Sequence, residues 1–387
     1  MRAIIKQTNA ALISTFLMLI GHTAFSTAIP LRLKAEGYST FLIGCVAASY
    51  YVGMLFGSFK IEPIIQRLGH IRAFALFASG MGVITLLPPI VDSYPFWIIC
   101  RCLAGLSLAG LYIVMESWFV SLSAPSTRGQ YLGLYMMSLS IGAAIGPLFI
   151  NIGYPTTLIP FCLASLFFSC AIWPMLMYEG STPQQHQPSI LKLSTLYKYS
   201  PAGFIGCIVS GILISSFVSM LPIVVTCCNI TLFLASVLIT ISQVGGIAFQ
   251  MPVGKLSDRH DRRLILMGLC LIAIICCIIS VFYMHDFNII YIVCIFIIGG
   301  ITSTTYPLSI NLSCENIPLP DITKGMQSLM LAYGSGAVMG PIITSRLMDL
   351  GHSYALFLVI ATACALYAIY LMFNISNHSR TITSIKD

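Results

Sequence analysis

Charge is scarce in this chain: Asp, Glu, Lys and Arg make up 8% of its 387 residues, whereas soluble proteins average about 25%. So few charges cannot cover a water-facing globule of this size. A soluble enzyme, a disordered chain and a nucleic-acid-binding domain are therefore excluded. Catalytic signatures are missing too. There is no HExxH pair, no P-loop and no GxSxG elbow, so the spacings that hold a zinc ion, a phosphate or a serine nucleophile do not occur. Cysteines number 14, but Cys100/Cys102, Cys227/Cys228 and Cys276/Cys277 lack metal-site spacing with His partners and read as small apolar residues. No enzyme activity, metal site or cofactor is expected.

What the chain has is apolar length, with 58% hydrophobic residues and a mean hydropathy of +0.93. A helix that crosses a bilayer needs about 20 mostly apolar residues. Twelve such segments lie near 8–31, 39–59, 73–91, 95–120, 129–152, 155–177, 200–225, 230–253, 264–284, 287–313, 325–345 and 352–373. The runs are continuous and lack the alternation of a membrane β-barrel, so helices must satisfy the backbone in lipid. The first run follows Arg2 and Lys6, is too long for the apolar core of a cleaved signal, and no Ala-x-Ala site follows it. It reads as the first membrane helix.

The longest connection, 178–199, is polar and proline-bearing and falls near the centre. It divides the chain into a six-helix bundle (1–177), a cytoplasmic linker (178–199), a second six-helix bundle (200–373) and a cytoplasmic tail (374–387). Short loops rich in Lys and Arg stay in the cytoplasm. With the N-terminus inside, fifteen basic residues fall on the cytoplasmic side and three (Arg32, Lys34 and Arg346) on the outer side, while Arg101 lies within a segment. The net charge of +7 is thus an orientation signal, and both termini are expected in the cytoplasm.

The two halves repeat. The fifth segment contains Gly142-Ala-Ala-Ile-Gly146-Pro147 and the eleventh contains Gly336-Ala-Val-Met-Gly340-Pro341, both G-x-x-x-G-P and 194 residues apart. Small residues four apart let helices approach closely, and proline bends a helix by removing a backbone bond. The loops after segments two and eight also correspond: Arg67-Leu-Gly69-His70-Ile-Arg72, and Gly254-Lys-Leu-Ser-Asp258-Arg259-His-Asp-Arg262-Arg263. Two parallel six-helix halves with a site near the midplane form a transporter architecture.

The run from Gly254 to Arg263 resembles the G-x-x-x-D-R-x-x-R-R loop signature of the major facilitator superfamily. Arg101 through Gly105 resembles its R-x-x-x-G motif, and Gly142 to Pro147 its antiporter-associated motif, although Ile150 and Asn151 stand where a Gly pair would complete it. RLGHIRAFA (67–75), RCLAGLSLAGLYIVMESW (101–118) and RGQYLGLYM (128–136) are similar to a YcaD-like bacterial branch. The resemblance implies an all-α fold of twelve transmembrane helices in two pseudo-symmetric six-helix bundles. It implies a secondary active transporter in the bacterial inner membrane, moving a small molecule by rocker-switch alternating access. Proton coupling is expected, with antiport in the efflux direction. A uniporter, a proton-coupled importer of a metabolite, and a transporter-like scaffold or receptor that no longer transports remain open. A monomer is expected, with partners limited to solute, proton and lipid.

Within the segments, Arg101, Gly105, Tyr112 and Glu116 fall on one face of the fourth. In the superfamily fold that helix lines the central cavity with helices 1, 7 and 10. Ionisable groups inside a membrane are costly and mark a pathway by default. Arg101 and Glu116 are fifteen residues apart, roughly 22 Å along a helix, so they are not a salt bridge. Both could instead snorkel to the interfaces. His22, with Ser26 on the same side, is a candidate proton relay. Ser215 and Ser219, with Thr304 and Asn311, could line a mildly polar cavity or simply bond neighbouring helices. Gly254, Asp258, Arg259, Arg262 and Arg263, with Arg67, Gly69 and Arg72 in the first half, are read as a conformational latch. Asp258 is expected to face the start of the fifth segment near Arg128, where helix N-termini favour a carboxylate. In the first half Gln66 replaces the Asp and Glu62 the Gly.

Overall fold

The computed structural model describes residues 2–91, 93–122, 128–177, 191, 193–228, 230–285, 287–318 and 321–383, with backbone alone for 2–7, 128–129, 323 and 375–383. Its first half runs α1 (Arg2–Ala35), α2 (Thr40–Lys60), a short α3 (Glu62–Leu68), α4 (His70–Leu86), α5 (Tyr94–Leu122), α6 (Arg128–Ile145) with a 3-10 continuation (Gly146–Ile152), and α7 (Ile159–Leu176). The second runs a short α8 (Leu193–Tyr199), α9 (Pro201–Cys227), α10 (Leu232–Ser257), α11 (Arg262–Tyr283), α12 (Ile289–Cys314), α13 (Ile322–Asp349) and α14 (Ala355–Thr383). No strand occurs among the described residues.

Each of the twelve apolar segments lands on one of these helices. Ten helices are long and apolar enough to cross a bilayer, or eleven when α3 and α4, bent by 120° at Gly69, count as one. The turn needs glycine because φ is +76° there. The helix α13 is not among the ten: Lys324, Gln327, Ser328, Ser335 and Thr344 dilute its apolar length. Local chemistry sets several starts. Ser39 accepts from the Leu42 N–H, Asn288 from Tyr291 and Asp261 from Arg263, which are N-caps. Proline opens α7 and α9, where its missing N–H costs nothing. Phe282, Leu366, Phe373 and Trp173 point outward with 64–75% exposure. Such surface would be an aggregation hazard in water and is lipid-facing here. The chain is an all-helical, multi-pass membrane protein.

Three details of the fold were not legible in the sequence. Within 178–199, α8 occupies the end and buries Leu196 against Cys207, Ile317, Leu329 and Ala332, while Ser328 Oγ donates to the Leu191 carbonyl at 2.8 Å. Residues 178–190 and 192 lie outside the described residues. The helix α14 runs on past the apolar span, which ends at Asn374, to Thr383. Finally, the two G-x-x-x-G-P motifs differ in outcome: Pro147 closes α6 and the chain continues as a 3-10 helix, whereas Pro341 lies inside an unbroken α13.

The chain divides into one unit of 1–187 with 231–240 and another of 188–230 with 241–387. In the first, α2 packs on α5, α1 on α6 and α7, and α4 on α5 and α7. In the second, α9 packs on α13, α12 and α14, and α11 on α12 and α14. Glycines show how deep the repeat goes. A Cβ on Gly142 would stand 2.7 Å from the Phe16 carbonyl oxygen, and one on Gly146 2.6 Å from that of Ile20. Gly336 and Gly340 meet the Ile208 and Ile212 carbonyls in the same way. The four partners are thus two pairs 192 residues apart. A second contact repeats likewise. Gly53 lies against the Cys102 backbone and Gly105 against that of Tyr50, while Gly245 lies against Phe296 and Gly299 against Ser242. The positions that set helix spacing are therefore shared by the two halves. Side chains elsewhere on the same helices are not.

Candidate functional site

In the first unit, α1, α2 and α5 bring together groups that lie far apart in sequence. Arg101 is buried, 6% exposed, with its guanidinium carbon 4.7 Å from the Tyr50 ring centroid and 5.5 Å from that of Phe25. Rings so placed attract a cation through their quadrupoles. His22 stacks on Tyr50 at 5.4 Å, and Tyr50 meets Tyr51 edge-on at 4.9 Å. Close approach of α2 and α5 at Gly53 and Gly105 makes this possible, because it brings Tyr50 against the helix that carries Arg101. Arg101 Nε and Nη1, His22 Nδ1 and Ser26 Oγ are covered by protein yet have no hydrogen-bond partner. Leaving such a group unmatched costs about 1–3 kcal/mol.

Further along α5, Tyr112 is half-buried and Glu116 exposed. Glu116 lies near Tyr112 and near Tyr135 of α6, and Tyr51 lies near both Tyr112 and Arg101. Arg101 and Glu116 form no ion pair with each other, as their spacing predicts; Tyr50 lies against Arg101, and Tyr112 is one turn from Glu116 on α5.

The structure thus brings His22 and Arg101 to the same ring, that of Tyr50, with Ser26 one turn from His22 on α1, and places Tyr112 and Glu116 further along α5. Tyr50, Phe25, Tyr51 and Tyr135 were not singled out from the sequence. Of these only the Tyr50-Tyr51 doublet was a visible signal, as two aromatic hydroxyls inside an otherwise apolar run. In the second unit the candidates fare differently. Thr304 is buried and its hydroxyl donates to carbonyls of its own helix, Gly300 at 2.9 Å and Ile301 at 3.1 Å. Ser215 is fully buried against Gly340, with its hydroxyl 3.4 Å from the Ile212 carbonyl. Both hydroxyls donate to carbonyls of their own helices. Ser219 is half-buried and Asn311 exposed.

At the loop between α10 and α11, Asp258 Oδ1 lies 3.5 Å from Arg262 Nη2, one turn away. Arg262 also pairs with Glu315, just beyond α12. Asp261, not Asp258, caps α11 by accepting from the Arg263 N–H at 2.8 Å. That cap was legible as an Asp before an apolar run, whereas Glu315 carries no sequence signal. Arg259, Arg67 and Arg72 are exposed, and Arg263 is half-buried. A Cβ on Gly254 would meet nothing within 4 Å. The side chain of Arg128, the expected neighbour of Asp258, lies outside the described residues. The ion pairs are partly exposed, so each is worth about 0–1 kcal/mol. Arg262→Ala should lower the melting temperature of the purified protein by only a few degrees. A much larger drop would mean the Arg262–Glu315 pair is a structural anchor.

The model for the Major Facilitator Superfamily matches residues 11–227 and 203–385. The chain belongs to this superfamily. Among major facilitator relatives, an uncharacterized MFS-type transporter of Enterobacter sp. strain 638 is 27% identical over 94% of each chain. The uncharacterized MFS-type transporter YcaD of Escherichia fergusonii is 26% identical over 95% of this chain and 96% of its own. Among solved structures, the nucleoside transporter NupG superposes with a TM-score of 0.75 at 14% identity, covering 95% of this chain and 98% of its own. The E. coli fucose:proton symporter FucP gives 0.62 at 16%, covering 96% and 98%. These two likenesses establish the fold. With the family, they identify the chain as a membrane transporter of the major facilitator type.

Proposed function

We propose that the chain is a proton-coupled secondary transporter of a small molecule in a bacterial inner membrane, with both termini in the cytoplasm, and that it works as an antiporter in the efflux direction. The two six-helix units rock in alternating access. No nucleotide-binding motif is present, so an ion gradient supplies the energy. The observation that carries the coupling is Glu116. Among the described residues it is the one carboxylate inside a spanning helix and away from its ends, it is exposed, and Tyr112 and Tyr135 lie near it. Charge inside a membrane is kept where a pathway uses it. His22 is the second candidate carrier. The efflux direction rests on the Gly142–Pro147 motif. The scarcity of carboxylates favours one alternative, a uniporter or importer with no carrier at Glu116.

The test is proton movement. Purified protein in liposomes holding a pH-sensitive dye is challenged with gradients of metabolites, siderophores and drugs. A coupled antiporter alkalises or acidifies the lumen with at least one solute. Uptake of a solute with no pH change supports the uniporter, and no uptake at all supports a scaffold.

We assign Gly254, Asp258, Arg259, Arg262 and Arg263, with Arg67, Gly69 and Arg72, as a latch that holds one conformation through charge-assisted bonds. Asp258→Asn should leave the melting temperature nearly unchanged, since the carboxylate is largely exposed. It should alter the labelling rates of single cysteines placed at the two ends of α5. Unchanged labelling together with unchanged transport sinks the latch.

A further inference from the structure

The groups around Arg101 have a chemical bias. Arg101 Nε and Nη1 and the Ser26 hydroxyl can donate, and His22 Nδ1 donates in one tautomer, yet none has a partner. Among the described residues Arg101 forms no ion pair, and the one carboxylate on its helix is Glu116, fifteen residues away. Its guanidinium carbon lies against the Tyr50 and Phe25 rings, and its Nε and Nη1 donors are covered by protein without a partner. A site with donors in excess and one fixed positive charge is incomplete without an acceptor that carries negative charge.

We propose that Arg101, Ser26 and His22 bind the carboxylate of an organic monoanion, and that this group is part of the transported solute. The second half of the statement rests on the transport reading above; the first does not. Charge balance selects the class. One carboxylate neutralises one guanidinium, whereas a phosphate dianion would leave an unpaired negative charge in a low-dielectric site, which is costly. A carboxylate suits such donors, because it has two oxygens and about four lone-pair directions. A halide offers no such division. His22 and Ser26, one turn apart on α1, are half-buried and Arg101 is buried. The second unit has no counterpart. At the repeat offsets defined by the glycine contacts, His22 corresponds to Ile214, Tyr50 to Ser242 and Arg101 to Ile295. The halves share their packing, and only the first carries the charge.

The experiment is equilibrium binding to the full-length protein in detergent, read by thermal shift and calorimetry without any pH gradient. The probes are sodium acetate, sodium benzoate, sodium chloride, inorganic phosphate and neutral benzamide. Benzoate or acetate should stabilise the protein, and benzamide and phosphate should not. Arg101→Gln should weaken carboxylate binding by ~10–100-fold, the range for a charge-assisted contact. It should also raise the melting temperature of the ligand-free protein, because an unmatched buried charge is gone. Arg101→Lys should recover part of the affinity, since it keeps the charge and loses the planar fork. If Arg101→Gln does not purify as a single species, Ser26→Ala removes one donor and should weaken benzoate binding by ~3–10-fold. No response to either carboxylate, an equal response to benzamide, a response to chloride alone, or full binding by the variants would each overturn the proposal. Carboxylate binding by a protein that transports nothing would overturn the transport reading and leave the site standing.

Discussion

Glu116→Gln should reduce solute-driven proton movement in liposomes to the level of empty vesicles, while the protein still folds and still binds. Glutamine keeps the shape and the hydrogen bonding of the side chain but cannot take up or release a proton. Glu116 is exposed and forms no ion pair among the described residues, so its loss leaves no buried charge without a partner and the fold should not suffer. Coupling is different, because among the described residues no other carboxylate lies inside a spanning helix away from its ends. Solute exchange with equal concentrations on both sides needs no net proton transfer, and it should survive in the variant. This pair of results would place the proton on Glu116. If Glu116→Gln couples normally and His22→Gln does not, the carrier is the histidine on α1. If neither variant loses coupling, the proton-coupled reading fails.

Gly105→Ala and Gly299→Ala should each destabilise the protein strongly, although alanine is normally the better helix former by about 1 kcal/mol. The sign reverses because the added methyl has nowhere to go. At both positions it would overlap the backbone of the facing helix, Tyr50 on α2 or Ser242 on α10. A side chain could rotate away, but a carbonyl held in a helix cannot, so the two helices must separate. Overpacking of this kind costs about 1–3 kcal/mol and occasionally more. Gly133→Ala and Gly268→Ala are the controls. Both are helical, and a Cβ there would meet nothing within 4 Å, so these variants should be as stable as the parent or better. Melting temperatures in detergent decide the matter. Equal effects at all four sites would show that helix propensity, not contact, governs these glycines. Gly105→Ala carries a second consequence: it moves Tyr50 away from Arg101 and should weaken carboxylate binding, whereas Gly299→Ala should not.

The membrane helices and the repeat were legible in the sequence because both follow from local rules. In lipid an apolar run of sufficient length must satisfy its own backbone and becomes a helix wherever it occurs. A glycine every four residues marks a close contact regardless of what the partner is. For the same reasons the orientation signal and the Gly254–Arg263 loop could be read residue by residue. The family resemblance followed from those motifs. The 3-10 continuation after Pro147 and the helical end of the linker were not visible, since proline gives opposite results at Pro147 and Pro341 and the difference lies in the surrounding packing.

The sequence by itself determined that the chain spans a membrane, that it consists of two repeated halves, and that Arg101, Glu116 and His22 are its costly residues. The tertiary structure alone decided what these residues meet. Arg101 lies between Tyr50 and Phe25, Arg262 pairs with Glu315 across 53 positions, and Thr304 and Ser215 turn their hydroxyls to their own helices. The physical reason is rotation about the helix axis. In a soluble helix the polar face announces which side looks inward, but helices that are apolar all round carry little such mark. Which side chain faces which is then settled by the helix-to-helix contacts at Gly53, Gly105, Gly146 and Gly340, and only the assembled bundle contains those.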